Sequence, residues 1–212
     1  MNMEMTYSIK ELFFSLQGEG AQAGRAAVFC RFAGCNLWSG RDADREKAVC
    51  KFCDTDFVGA DAGTFTDPND LAAAAMSFWP QGVGGRPLVI CTGGEPLLQL
   101  DEALCTAFHA VGFEVAVETN GTRPRPSGID WLCVSPKADA PLQVVEGDEL
   151  KLVFPQPGVD PQRFSGLAFK HFFLQPMDGN DAAANTDAAK EYCLKHPQWR
   201  LGLQMHTILG LR

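Results

Sequence analysis

The chain predicts an α/β fold, an incomplete β/α TIM-like barrel of about six parallel strands and three helices. Short runs of Val, Ile, Phe and Leu recur along all 212 residues, most without the alternation of a half-wet strand, the pattern of strands buried on both faces. Three gaps between these runs carry helix signals; the others are too short or too proline-rich for a crossover helix. A closed barrel needs eight strand–helix units over roughly 250 residues, more than this chain supplies.

The strand candidates, in order, are AAVFCRF at 26–32, PLVICTGG at 87–94, FEVAVETNG at 113–121, WLCVSPK at 131–137, ELKLVF at 149–154 and HFFLQP at 171–176. A seventh, RLGLQMH, lies at 200–206. The first helix candidate, 67–79, has Asp67 to cap its N-terminus and Pro68 in its first turn. The second, 100–112, ends on Gly112, and the third spans 181–196. TRPRPSG, KADAPLQVVEGD and PQPGVDPQRFSG read as loops. No linker, composition break, repeat or low-complexity stretch divides the chain, so residues 1–212 read as one domain.

Apolar residues at 46% and charged residues at 21% fall in the ordinary globular range and favour neither a disordered nor a fibrous class. A formal net charge of -8 argues against a broad nucleic-acid surface, which needs clustered Lys and Arg, and favours a small-molecule partner. MNMEMTYSIK lacks the basic start and apolar run of a secretion leader, and no segment is long and apolar enough to span a membrane, so a cytoplasmic location is expected. In that reducing compartment eight cysteines argue for metal or redox chemistry in a clustered subset rather than for disulfides.

Five strand candidates end in GCN, TGGEP, ETNG, SPK and QPMD, each a shift from apolar to glycine, proline and polar side chains. Ligands of parallel β/α sheets bind at the C-terminal ends of the strands, so these five stretches would line one mouth. The segment 35–55 follows the first of them and places Cys35, Cys50 and Cys53 at C-x14-C-x2-C with no histidine between. Zinc would need a fourth ligand, whereas an iron-sulfur cluster on three thiolates leaves one iron open; the residue types alone allow both.

With Phe52 before the last cysteine, TGGEP at 92–96 and ETNG at 118–121, the arrangement resembles the radical S-adenosylmethionine superfamily. The usual superfamily spacing is C-x3-C-x2-C, from which this chain departs by a long insertion. That departure, with FFSLQGEG at 13–20, CDT at 53–55, VSPK at 134–137, LQPMDG at 174–179 and QMH near the C-terminus, resembles the 7-carboxy-7-deazaguanine synthase family over residues 13 to 206. SLQGEG and GGEP also occur in glycyl-radical activating enzymes, against which the cysteine spacing and CDT argue; a zinc or iron-sulfur binding module without turnover is the other alternative. The resemblance implies a 4Fe-4S cluster on Cys35, Cys50 and Cys53 with S-adenosyl-L-methionine on its open iron. It also implies Mg2+, a pterin substrate in queuosine-precursor (7-deazapurine) biosynthesis, an electron donor such as flavodoxin, and a homodimer.

Individual residues carry both plain and sharper readings. Gly93 and Gly94 permit close backbone approach and Glu95 offers acceptors for an ammonium, or TGGEP is a strand-to-helix turn. The resemblance places the methionyl part of the cofactor there. Ser135, Pro136 and Lys137 bring a hydroxyl and a cation for ribose or carboxylate groups, or form a solvated turn. The resemblance assigns them, with Gln175, Pro176, Met177 and Asp178, to the same cofactor, and adds Glu118 and Asn120. Phe52 is core or packs on a purine.

Gln17 and Glu19 carry the donors and acceptors a guanine-like edge demands, or belong to a turn after two core phenylalanines. The resemblance implies pterin recognition by Leu16, Gln17, Gly18 and Glu19. Arg31 would be costly if buried unpaired and suits either a substrate carboxylate or a neighbouring acid; Thr92 is a further substrate candidate. Asp54 and Thr55 are hard oxygen donors or helix caps, and with the resemblance Thr55 becomes the magnesium candidate. His206 is a surface imidazole or a substrate contact. Cys30, Cys91, Cys105, Cys133 and Cys193 read as small buried hydrophobes.

Overall fold

A computed structural model describes residues 6–82, 84–138 and 140–211. Residues 1–5, part of the stretch read for the lack of a leader, and residue 139 of the loop after SPK lie outside these. Nine strands among the described residues form a single open sheet. They are β1 (Tyr7–Leu16), β2 (Ala26–Phe32), β3 (Gly63–Phe65), β4 (Leu88–Gly93), β5 (Glu114–Thr119), β6 (Trp131–Val134), β7 (Glu146–Phe154), β8 (Ala168–Pro176) and β9 (Trp199–Leu201). Their order is β3-β1-β2-β4-β5-β6-β7-β8-β9, and every pair from β2 to β9 is parallel.

The incomplete, mostly parallel barrel is thus present, with differences at its edges. β1 and β3 add an antiparallel flank to β2 that the sequence reading did not single out. The candidate at 200–206 ends as a strand at Leu201, and Met205 and His206 open a short helix instead. The helices are α1 (Pro68–Met76), α2 (Glu102–Ala110), α3 (Ala182–Lys195) and α4 (Met205–Leu209). Asp67 caps α1 by accepting from Asn69 N at 2.8 Å, and Asp101 caps α2 by accepting from Leu104 N at 2.9 Å, satisfying donors that a first turn leaves open. The three loops read from their prolines hold no α-helix among the described residues, only a 3-10 turn at Pro161–Phe164.

The period-2 direction of strand side chains divides the sheet into two faces. Val28, Cys30 and Phe32 of β2, Val89 and Cys91 of β4, and Val115 and Val117 of β5 pack outward in one core with Leu71 of α1, Phe108 of α2 and Ala189 of α3. The inner face carries Ala27, Leu88, Ile90 and Ala116, with Phe29 and Trp131 against them. Continuing up the same inner rows, each strand turns polar: Arg31 on β2, Thr92 on β4, Glu118 on β5 and Lys151 on β7 all line a cavity. An apolar floor under a polar rim is what the strand sequences dictate once alternate residues share a face.

The open side of the sheet is bridged by the 17–25 turn after β1 and by the stretch that begins after β9. Ala21 N donates to Glu149 Oε2 at 2.8 Å, and Met205 N donates to Gly18 O at 2.9 Å. No helix among the described residues is long and apolar enough to cross a membrane.

Candidate active site

At the C-terminal ends of the parallel strands lies a cavity of about 480 Å³. Its walls include Cys35, Cys50 and Cys53, the ends of β4 to β8, the 17–25 turn and the segment before α4. The sequence reading of one shared mouth therefore holds geometrically.

The long insertion between the first two cysteines is folded, with a 3-10 turn at Asp42–Lys47. Arg45 holds it: its Nη1 donates to the carbonyls of Lys51 and Cys53, both at 3.0 Å, and its guanidinium lies 4.0 Å over the Trp38 ring. Val49 N and Cys50 N both donate to Leu37 O, at 3.0 and 3.3 Å, closing the loop on itself. The three cysteines pack with Leu37, Phe52 and Ala140 in a small apolar cluster apart from the main core. Hydrogen bonding between Cys50 and Cys53, against some burial, pulls the Cys53 thiol down to about 6 and pushes Cys50 up. Among the described residues no group of three His, Cys, Asp or Glu side chains is disposed to hold a single metal ion. Three soft thiols on the wall of a cavity fit the donor set that a cluster with one free iron requires.

The TGGEP stretch is what steadies this loop. Gly94 N donates to Phe32 O at 3.1 Å and Glu95 N to Gly34 O at 2.9 Å, so the strand end of β4 grips the residue before Cys35. A Cβ on Gly94 would lie 1.9 Å from Gly34 O, which is why glycine stands there. Gly93 adopts φ 129°, and both glycines line the cavity. Glu95 does not line it, correcting the reading of that carboxylate as a ligand for an ammonium group. It is fully buried and accepts from Thr119 Oγ1 at 2.6 Å, Asn120 N at 2.7 Å and Leu97 N at 2.9 Å, tying the ends of β4 and β5 together. Burial pushes its carboxyl up while these donors pull it down.

Pro136 and Pro176 likewise stay out of the lining, whereas Ser135, Lys137, Gln175, Met177 and Asp178 form part of it. Lys137 Nζ donates to Ser135 O at 2.9 Å and Ser135 Oγ at 2.7 Å and sits 5.7 Å over the Phe52 ring. Enclosure lowers its pKa, opposed by the Cys50 thiol nearby. Gln175 Oε1 is buried with no hydrogen-bond partner among the described residues, an acceptor that a ligand donor could satisfy. Asn120 lines the cavity with its amide fixed on Asn36 Oδ1 at 3.0 Å. Asp54 and Thr55 face the cavity from a loop rather than a helix start, which removes the capping alternative.

Arg31 pairs with a neighbouring acid, its Nε donating to Glu11 Oε1 at 2.7 Å, and it also lines the cavity. Thr92, Leu16, Gln17, Gly18, Glu19, Glu118 and His206 all line the cavity as well, and His206 packs on Gly18, where a Cβ would lie 2.4 Å from Nδ1. Two polar residues escaped the sequence reading. Lys151 and Gln204 both line the cavity, and both bond to Glu19. A lone lysine within the apolar run ELKLVF was the available signal for the first. Phe13 and Phe29, stacked with centroids 4.9 Å apart, supply an apolar wall.

No family model matches the chain. It is 63% identical over 210 residues to the 7-carboxy-7-deazaguanine synthase of Caulobacter vibrioides, covering 98% of this chain and 100% of that one. The synthase of the same name from Bacteroides thetaiotaomicron is 41% identical over 208 residues, again with 98% and 100% covered. Among solved structures, QueE from Escherichia coli superposes with a TM-score of 0.70 at 27% identity over 95% of each chain. End-to-end identity at this level, on the same fold, means that the chain belongs to the 7-carboxy-7-deazaguanine synthase family.

Proposed function

We propose that the chain is a radical S-adenosylmethionine lyase that converts 6-carboxy-5,6,7,8-tetrahydropterin into 7-carboxy-7-deazaguanine with loss of ammonia. The observation that carries this reading is one cavity walled by three thiols, an unpartnered Gln175 acceptor, and the Gln17, Glu19 and Glu118 side chains. Cys35, Cys50 and Cys53 would hold a 4Fe-4S cluster, which when bound supplies the one-electron chemistry that starts hydrogen abstraction at the pterin C6.

Every other part of the task is positioning and exclusion of water. Gly93 and Gly94 let a methionyl group approach the backbone, Ser135 and Lys137 face ribose or carboxylate oxygens, and Gln175 Oε1 accepts from an adenine or ribose donor. Phe52 packs on the purine. Arg31 and Thr92 face the substrate carboxylate, and Thr55 contributes an oxygen to a magnesium ion that keeps most of its waters. The 17–25 turn and the segment before α4 close the open side of the barrel over the pterin. Residues 1–212 act as one cytoplasmic domain that works as a homodimer and takes electrons from a small carrier such as flavodoxin.

The test is anaerobic turnover of reconstituted protein with S-adenosylmethionine, reductant, magnesium and the carboxytetrahydropterin, read by mass spectrometry. A product lighter by one ammonia is expected. Accumulation of 5'-deoxyadenosine alone would keep the radical machinery and overturn the substrate.

A further inference from the structure

We propose that Lys151 is a positioning residue that holds Glu19 and Glu118 as one paired anionic acceptor. In that role it makes the site select a 2-amino-4-oxopyrimidine edge over its deaminated 2-oxo counterpart. The inference rests on the reading above, that a tetrahydropterin is the substrate.

Lys151 is 6% exposed, yet its ammonium lies on the cavity wall in contact with Glu19 and 3.4 Å from Glu118 Oε2. The remaining oxygens are also held: Gln204 Nε2 donates to Glu19 Oε1 at 3.0 Å, and Gln17 Nε2 donates to Glu118 Oε1 at 2.7 Å. Gln17 is itself fixed, its Oε1 accepting from Glu19 N at 3.1 Å. Three side chains from three distant stretches, Gln17, Lys151 and Gln204, thus hold two carboxylates on the cavity wall in fixed orientations.

Two carboxylates against one ammonium leave a net negative charge in this corner. The other charged or titratable groups facing it are Glu149 on β7, Cys133 on β6, Lys137 after β6 and His206 on α4. Glu149 is spent on Ala21 N and Cys133, and burial pushes its carboxyl up toward the neutral form. A ligand here must therefore bring N–H donors. A 2-amino-4-oxopyrimidine presents a ring N–H beside an amino group, a pair of donors that one carboxylate receives side by side. The deaminated ring keeps its ring N–H but turns a carbonyl oxygen toward the other oxygen of the same carboxylate, setting acceptor against acceptor, a large loss in a buried site.

Lys151 is what makes that rejection work. Two carboxylates brought together without a cation share a proton, because like charges at close range cannot both ionise. A shared proton can donate to the 2-oxo group, so discrimination would be lost along with the lysine.

The experiment compares kcat/KM of the iron-loaded enzyme for 6-carboxytetrahydropterin and for 6-carboxytetrahydrolumazine, in the parent, Lys151→Met and Lys151→Arg, from pH 6 to 9. The parent is expected to prefer the pterin by on the order of 10,000-fold. In Lys151→Met the preference should fall below about 100-fold, the pterin KM should drop as pH rises, and the S-adenosylmethionine KM should stay within about twofold. Lys151→Arg should restore most of the preference.

Unchanged preference and a flat pH profile in Lys151→Met, or an equal rise in both KM values, would reduce Lys151 to a structural ion pair. If Lys151→Met does not fold, Glu118→Gln must lose the same discrimination, and its failure to do so overturns the inference. Parent enzyme that turns over neither compound overturns the substrate reading itself, whereas parent turnover with an indiscriminate wild-type site sinks the inference alone.

Discussion

Replacing Gly94 by alanine would put a methyl group 1.9 Å from Gly34 O, 2.5 Å from the carbonyl carbon and 3.1 Å from Cys35 Cβ. The nearest atoms are backbone, so no side chain can swing aside. The Gly34–Cys35 peptide must retreat by more than about 1 Å to reach ordinary contact. Retreat stretches the two bonds that join the strands here, Gly94 N to Phe32 O at 3.1 Å and Glu95 N to Gly34 O at 2.9 Å. Overpacking costs about 1–3 kcal/mol, and each lost hydrogen bond costs about 1 kcal/mol. With both bonds weakened as the peptide retreats, the total expected is about 3–5 kcal/mol. That is a large share of the roughly 5–15 kcal/mol of a typical domain. Urea unfolding of the metal-free protein measures the stability, and iron analysis after reconstitution measures whether Cys35 still reaches its place. A Gly94→Ala protein within about 0.5 kcal/mol of the parent and with undiminished iron would refute the idea that this glycine grips the cysteine loop.

Cys50→Ala should lose the cluster, so iron falls well below the about four per chain expected of the parent; a fully loaded variant would contradict the ligand assignment. Arg31→Ala should raise the pterin KM by about 10- to 100-fold, the worth of one charge-assisted bond, and leave that of S-adenosylmethionine nearly unchanged, as initial-rate kinetics would show. Burial pushes the Glu19 carboxyl up, but Lys151 and Gln204 more than offset it and hold its pKa below the ordinary value of 4.5. With the folded value lowered, the pair's contribution is present above pH 4.5 and fades as pH falls through the folded value. The acid limb of urea stability should therefore be shallower in Glu19→Gln than in the parent, and parallel limbs would assign acid sensitivity elsewhere.

Strands buried on both faces announce themselves as apolar runs, which is why β2, β4, β5, β6, β7 and β8 were legible in the sequence. β1 was not, because Lys10 and Glu11 interrupt YSIKELFFSL and its register shifts between Ile9 and Glu11, so neither a clean run nor a clean alternation survives. The cysteines, glycines and polar strand ends could be assigned to a common mouth because each follows an apolar run in the sequence. Lys151 and Gln204 could not be paired with Glu19 from spacing, since 132 and 185 residues separate them and only the closing of the barrel brings them together. Glu95 shows the opposite failure. Its place beside two glycines suggested contact with a ligand, but a carboxylate can equally well gather three donors from the protein itself, here Leu97 N of its own turn and the Thr119 hydroxyl and Asn120 N at the end of β5.

The bridge between Gly18 and Met205 bears on how the protein is made. All three cysteines of the cavity wall have been synthesised by residue 53, but the wall that closes the cavity waits for residues near 204. At about 5–20 residues per second, that leaves the thiols facing solvent for roughly 7–30 s in every round of synthesis. During that interval the nascent chain is open to iron delivery and to oxidation alike, and its exposure ends only when the last short helix docks on the turn that began the sheet.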